Sequence, residues 1–474
     1  MGSLAATLLI LAVGVVLLFD VDRYKPSIEA AASEALGLEL KIRGRASLRV
    51  FPRPRMILPD VHLSRGANEI LSAEELQASP RWIPLLLHRE VSIDRVSLQN
   101  PKIRIEKSSD GHMSYEGPIS EDTATAAKPA PAGAISLISL QHGDVTYLDR
   151  RSGRSLELGN VDLTLTDLAW GQSAAPGPLA LLKSLSLYGT LHVATLQMGR
   201  FKASDVKSGI TDEAGLLRLD STAMTLFGGS SRGSLTFDLR GSAPRIHVVQ
   251  AASQIDLTQV FPIEIFFGTA QASLDVEGTG RDLRAITTTM NGQASIRSDH
   301  LSINSLDVDG LIDDYNRTQN FSLIDLGSLI IAGPFAPLLT KGADFTRLRF
   351  FGHMGRGKSE IRRVVSDWQI VDGIAKTKDV AFATPKNTVA FRGDLNLLTG
   401  RYLNLFVATV DSQGCAQVKQ QITGPFAHPS AKGAASSGFG AFKSAFRKVK
   451  KLFQSHRCDL FYAGSAIHPP SAGP

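Results

Sequence analysis

The feature that most constrains this chain is an alternation of apolar and polar residues with period two, which starts at Leu38, breaks at 119–134, and from Ile135 runs almost without interruption to about Thr423. Leu38, Leu40 and Ile42 alternate with Glu39 and Lys41. Val91 and Ile93, Val96 and Leu98, and Ile103 and Ile105 follow with Ser92, Ser97 and Arg104 between them. Runs of about four to eight residues end at Gly, Pro, Asn or Asp, the signature of strands joined by turns. Successive strand side chains point to opposite sides, so the pattern predicts an antiparallel sheet with one apolar and one wet face. The 42 glycines and 22 prolines supply the turns.

Such a face has two outcomes: its own side chains fill it, as in a sandwich or barrel, or it stays open as a slot for an apolar ligand. Few segments read as helices able to cover a sheet of about 20 strands, and open sheets beyond ~10 strands curl or split. Phe237, Leu239, Leu274, Val276, Phe382, Phe391, Leu395, Leu397, Leu405 and Val407 are the expected inward positions. On the slot reading, Val276→Arg with Leu397→Arg blocks lipid movement and spares the fold.

The ends of the chain read differently. Residues 1–19 carry no charged side chain and as a helix span ~28 Å, about the hydrocarbon thickness of a bilayer. An uncleaved anchor over 1–21 is expected, because a cleavable signal wants a basic flank and a shorter apolar core. Tyr24–Gly37 reads as a short helix, with Pro26 in its first turn and Gly37 as its left-handed end. The organisation is then 22–118, a linker at 119–134 rich in Ala, Pro and Thr, a β body at 135–428, a flexible stretch with a helix at 429–457, and a tail at 458–474. Helical exceptions are expected near 179–183 and 305–314.

The net charge of +6 is modest for 474 residues, but five basic residues lie within nine near the C-terminus. Phe439, Phe442, Phe446, Val449 and Phe453 recur at helical spacing, with Lys443, Arg447, Lys448, Lys450 and Lys451 mostly on the other face. A basic amphipathic helix suits an anionic membrane surface, or it caps one end of the sheet. Segregation of the aromatic and basic residues speaks against nucleic acid. Cys415 and Cys458 bracket this segment, and with an exported body they are expected to form a disulfide.

Motifs for zinc hydrolysis, dithiol redox chemistry and calcium are missing: there is no His-Glu-x-x-His or Cys-x-x-Cys, the histidines are scattered, and the acids at 307–314 lack the loop of a calcium site. No residue is therefore assigned to catalysis or to a cofactor or metal. A weak internal echo links Gly215-Leu-Leu-Arg-Leu-Asp with Gly373-Ile-Ala-Lys-Thr-Lys, each opening a strand and followed by another about twenty residues on.

The ordered run Asp22-Arg-Tyr-Lys-Pro26, residues 35–44 (ALGLELKIRG), Phe51-Pro52, residues 58–64 (LPDVHLS), Ala78-Ser-Pro80 and residues 93–103 (IDRVSLQNPKI) up to Asp110-Gly111 resembles the N-terminal region of the AsmA family. Leu217-Arg-Leu-Asp with Leu226-Phe-Gly-Gly, and Asn291-Gly-Gln-Ala-Ser-Ile, are similar to that family's C-terminal domain. The resemblance implies kinship with chorein-type bridge-like lipid-transfer proteins, anchored in the bacterial inner membrane with a periplasmic, taco-shaped β-groove for acyl chains. The expectation is thus a mainly β, non-enzymatic protein: a transmembrane helix, then an elongated, twisted, open antiparallel groove carrying phospholipid or another acyl-chain lipid for outer-membrane biogenesis. Outer-membrane or periplasmic proteins are expected as further partners. The alternatives are a non-transport scaffold for outer-membrane assembly and an unrecognised envelope enzyme.

Overall fold

The computed structural model describes residues 21–49, 51, 53–81, 93–115, 133–171, 183–199, 201–260, 266–304, 306–310, 312–313, 357–426, 430–432 and 458–467. The protein is mainly β, with two compact units: Met1–Thr225 with Thr236–Ser242, and Leu226–Leu235 with Ala243–Pro474. Among the described residues no helix is long and apolar enough to cross a membrane. Of the expected anchor over 1–21 only Val21 is among those residues, and the basic helix, Phe442, Lys443, Phe446, Arg447, Lys448, Val449, Lys450, Lys451 and Phe453 included, lies outside them.

In the first unit a 3₁₀ turn at Val21–Tyr24 leads into helix α1 (Lys25–Leu36). Gly37 follows with φ 64°, the left-handed conformation that ends a helix at little cost to glycine. Ile28 and Ala32 pack on Leu40, Ile42, Leu58 and Val61. Another side of the turn and helix satisfies the chain that follows: Ser33 and Glu29 accept from the Leu40 and Ile42 amides (2.9 and 2.7 Å), and Asp22 accepts from Ala46 (3.0 Å). Lys25 donates to the Gly44 carbonyl (3.1 Å). An edge strand would otherwise show these groups as a template for foreign strands.

The strands of this unit are β1 (Glu39–Ile42), β2 (Ser47–Arg49), β3 (Arg55–Arg65), β4 (Asn68–Pro80), β5 (Ile93–Gln99), β6 (Lys102–Lys107), β7 (Gly133–Asp149), β8 (Arg154–Trp170), β9 (Leu185–Met198), β10 (Phe201–Glu213) and β11 (Leu216–Leu226). β1 and β2 both pair with β3, β3 with β4, and β4 with β5 and β6, all antiparallel. β5 and β6 then pair with β7 in parallel, and β7, β8, β9 and β10 continue antiparallel. The expectation of a purely antiparallel sheet is corrected here to a mixed one. A parallel pair needs a long crossover, and the Ala/Pro-rich segment between Lys107 and Gly133 supplies it. β7 opens at Gly133, so the last two residues of the expected linker are strand.

The second unit contains β12 (Gly229–Asp238, its end belonging to the first unit), β13 (Arg245–Asp256), β14 (Phe266–Phe267), β15 (Thr269–Thr279), β16 (Asn291–Asn304), β17 (Lys358–Val371), β18 (Ile374–Ala383), β19 (Thr388–Asn396), β20 (Arg401–Val410), β21 (Ala416–Pro425) and β22 (Ser430–Lys432). Short helices α2 (Leu257–Val260) and α3 (Leu283–Thr288) interrupt them. From β15 each strand pairs antiparallel with the next to β22, and β13 joins at β15. One face is a packed core around Trp368, Phe382 and Leu405, all with no exposure, closed partly by Leu306, Val308 and Ile312. On the opposite face Val365, Ala381, Ala390 and Ala408 lie under Phe461 and Tyr462 of the tail.

That tail is held covalently. Cys415 and Cys458 form a disulfide with 5.3 Å between their Cα atoms. The Tyr462 hydroxyl donates to Asp379, and the Ser465 amide donates to the same carboxylate (3.0 Å). The glycine echo also has a structural counterpart: Gly215 and Gly373 both have positive φ, and their carbonyls accept from the Leu239 and Leu397 amides respectively.

Candidate functional site: an apolar trough on the first unit

Residues paired directly across strands point to the same side of a sheet. In the first unit this rule assembles one apolar face from seven neighbouring strand positions. Leu58, Leu76, Leu98, Leu140, Leu163 and Leu191 form one row from β3 to β9, reaching Ser208 on β10. Leu71, Ile103, Val145, Leu158, Leu196 and Ala203 form a second, and Ile105, Tyr147, Leu156, Met198 and Phe201 a third. The opposite face carries Ser139, Thr164 and Thr190, then Asp162, His192 and Lys207, then Glu157, Gln197 and Lys202.

Between the first two rows each strand takes three residues instead of two to return to the same face. Asp60, Asn100, His142, Asn160 and Asp205 sit at these steps, all with φ between 47° and 55°. Asp, Asn and His tolerate this left-handed conformation better than other side chains, and an inserted residue bends a strand. Two bends are locked by side chains: Asp162 accepts from the His142 amide (3.0 Å) and Asp144 from the Asn160 amide (3.2 Å). Gly143, Val161, Val193 and Val206 meet along this line.

On β8 and β9 exposure falls to a minimum there, 4% for Val161 and 2% for Val193, and rises on both sides, whereas on β10 Ala203 and Ser208 are as buried as Val206. Leu158, Leu163, Leu165, Leu191 and Leu196 are half-buried, and Met198 at the strand ends is 51% exposed. This is the burial profile of a trough with a valine floor and leucine walls. Among the described residues no packed hydrophobic cluster includes a residue of β5 to β10. At the β3 end α1 covers the face, so Leu58 and Val61 are buried. Asp212 faces the same side opposite Leu187 and is buried, which raises its pKa; its carboxylate accepts from the Gly215 amide (3.0 Å) and closes a turn.

The inward positions expected from the sequence lie elsewhere. Val276, Phe382, Phe391, Leu395, Leu397, Leu405 and Val407 come together, but in the packed core of the second unit, with Leu274 against it. Phe237 is half-buried and Leu239 buried. None of the seven core residues has an open face, so these positions are corrected from slot lining to core. The double arginine substitution at Val276 and Leu397 would place two charges in that core and attack the fold itself. Sequence reasoning passed over the trough residues of β7 to β10. The signal was present: apolar-x-Asp/Asn/His-apolar recurs as Leu58-Pro-Asp-Val61, Leu140-Gln-His-Gly143, Leu158-Gly-Asn-Val161 and Ala203-Ser-Asp-Val206.

A cavity of about 860 Å³ in the second unit lies against the polar sides of β12, β13 and β15 to β17. Arg297 donates to Asp367 there through Nη2 (2.6 Å), and the Ser295 hydroxyl donates to the same carboxylate. Ion-paired walls of this kind do not suit a hydrocarbon chain.

Neither a curated protein nor a solved structure matches the chain. A family model does match its N-terminal part, across α1, the parallel crossover and the first half of the trough: residues 2–179 match the AsmA family.

Proposed function

We propose that the trough of the first unit binds the acyl chains of a phospholipid, and that the protein works as an inner-membrane-anchored periplasmic lipid-binding and transfer protein in outer-membrane biogenesis. The observation that carries this reading is the half-exposed apolar face of β8 and β9, leucine walls above a valine floor with a mainly polar reverse side. From Arg154 to Val161 the wall rises about 23 Å at ~3.3 Å per residue, enough for the ~15 Å of one leaflet's acyl chain. Each buried CH₂ contributes ~0.8 kcal/mol, so affinity needs no polar recognition along the walls. Binding and sliding, not bond chemistry, are the activity such a surface offers.

The match of residues 2–179 to the AsmA family supports an envelope role. The disulfide supports an oxidising compartment, and the uncharged run at 1–19 supports an inner-membrane anchor. The open, taco-shaped groove of the sequence-based expectation belongs, on this reading, to the first unit. A second reading, a non-transport assembly scaffold, is favoured by one observation: both faces of β17 to β20 in the second unit are already filled. Organic extraction of the purified full chain followed by mass spectrometry separates the two. Lipid transfer predicts phospholipid recovered at about one molecule per chain or more, and the scaffold predicts none above the wash.

A further inference from the structure

The strand ends that border the trough show what part of a lipid is recognised. Beyond the row Tyr147, Leu156, Met198 and Phe201, the next residues on the same face are Lys107, Asp149 and Arg154, paired in register across β6, β7 and β8. The apolar wall therefore ends in a cation, an anion and a cation.

Asp149 is already engaged. It accepts from the Arg151 and Ser152 amides (2.9 and 3.1 Å) in the turn after β7, and the Ser152 bonds in particular hold its pKa below the ordinary carboxylate range. Glu106 is engaged as well, by Arg150 at 2.5 Å. Arg154 is exposed and has no ion-pair partner among the described residues. The comparison within the fold is informative: Arg65, which ends the apolar side of β3, spends its guanidinium on the carbonyls of Gly37 (2.9 Å) and Tyr115 (2.8 Å). Arg154 stands at the same border of the sheet with no such bond among the described residues.

Resting on the trough reading, we propose that Lys107 and Arg154 form a head-group site for the phosphate of a lipid whose acyl chains descend between the leucine walls to the valine floor. The planar donors of Arg154 suit a phosphate bidentately, and Lys107 adds a point charge beside it. A lipid without phosphate would keep the chain contacts and lose this one. The ligand class is accordingly a glycerophospholipid, preferred over a neutral diacylglycerol.

The test loads the purified full chain from vesicles containing either phosphatidylglycerol or diacylglycerol, and compares it with Lys107→Glu/Arg154→Glu. Lys202→Glu serves as charge control, because Lys202 lies on the polar face. The double substitution should lower phosphatidylglycerol loading by about tenfold or more, the scale of a lost charge-assisted hydrogen bond, and leave diacylglycerol loading unchanged. The control should match the wild type for both lipids. Equal phosphatidylglycerol loading by the double variant and the wild type would overturn the head-group site while leaving the trough intact. Uptake of neither lipid by the wild type would overturn the trough and the site with it. Inorganic phosphate is the third probe. If it bound in a manner abolished by the double substitution while lipid loading stayed unchanged, the site would be one for free phosphate and the proposal would fail.

Discussion

Replacing Leu163 and Leu191 together by arginine is expected to reduce phospholipid recovered with the protein by at least about tenfold while the fold persists. The two leucines are direct partners across β8 and β9 on the trough wall, and both are half-exposed. Without lipid their arginine replacements can reach water along flexible stems, so stability should change by no more than about 1 kcal/mol. With lipid, the same charges would face hydrocarbon, and burying an unpaired charge costs several kcal/mol. Mass spectrometry of extracted lipid and urea unfolding on one preparation check both halves. A variant that keeps its lipid would place the acyl chains elsewhere.

The opposite outcome is expected in the second unit. Phe382→Ala empties a fully buried site between Val364 and Val389 and should cost about 3–5 kcal/mol, the usual range for deleting a buried aromatic ring. The urea midpoint of that unit falls accordingly. Lipid bound to the first unit should remain, because no trough residue is altered. Val276→Arg with Leu397→Arg should be harsher still, since both side chains are buried and neither has a carboxylate partner in the packed apolar core. A Phe382→Ala protein with an unshifted midpoint would mean that this core is looser than its burial indicates.

The contrast between the two units explains which parts of the molecule could be read from the sequence. Helix α1 was legible because Pro26, the alanines and Gly37 are local signals, and strand character was legible because period two is local too. Its hydrogen bonds to the β1 edge were not, since they depend on where Ser33 and Glu29 land after folding. The wrong placement of the slot has a physical cause. In Val380-Ala-Phe-Ala383 and Phe406-Val-Ala-Thr-Val410 the residues between the large apolar ones are themselves small or apolar, which is how strands buried on both faces read. In Leu156-Glu-Leu158 and Val161-Asp-Leu163-Thr-Leu165 the intervening residues are polar, and one face is wet.

Two further features depended on long-range pairing. The parallel register of β5 and β6 with β7 is set by the crossover beyond Lys107, which carries no strand pattern of its own. The bend line is spread over β3, the β5–β6 junction, β7, β8 and β10, one Asp, Asn or His at a time. Each looks like an isolated break in alternation until registers align them. The Cys415–Cys458 pair, in contrast, was legible from count and context alone, and the structure adds what it fastens: Phe461 and Tyr462 over the second apolar face of β17 to β20.

Site-specific photocrosslinking tests the central claim most directly. A photoreactive phenylalanine analogue is placed singly at Leu158, Leu163, Thr164 and Phe382 in the full chain, and illumination is carried out in cells fed labelled phosphate. Leu158 and Leu163 face the trough from its two walls, Thr164 faces the polar side, and Phe382 lies in the closed core. The predicted result is labelled lipid crosslinked at Leu158 and Leu163 and absent at Thr164 and Phe382. Label at Thr164 or Phe382 equal to that at the walls, or none at either wall, would contradict an acyl-chain trough on the first unit.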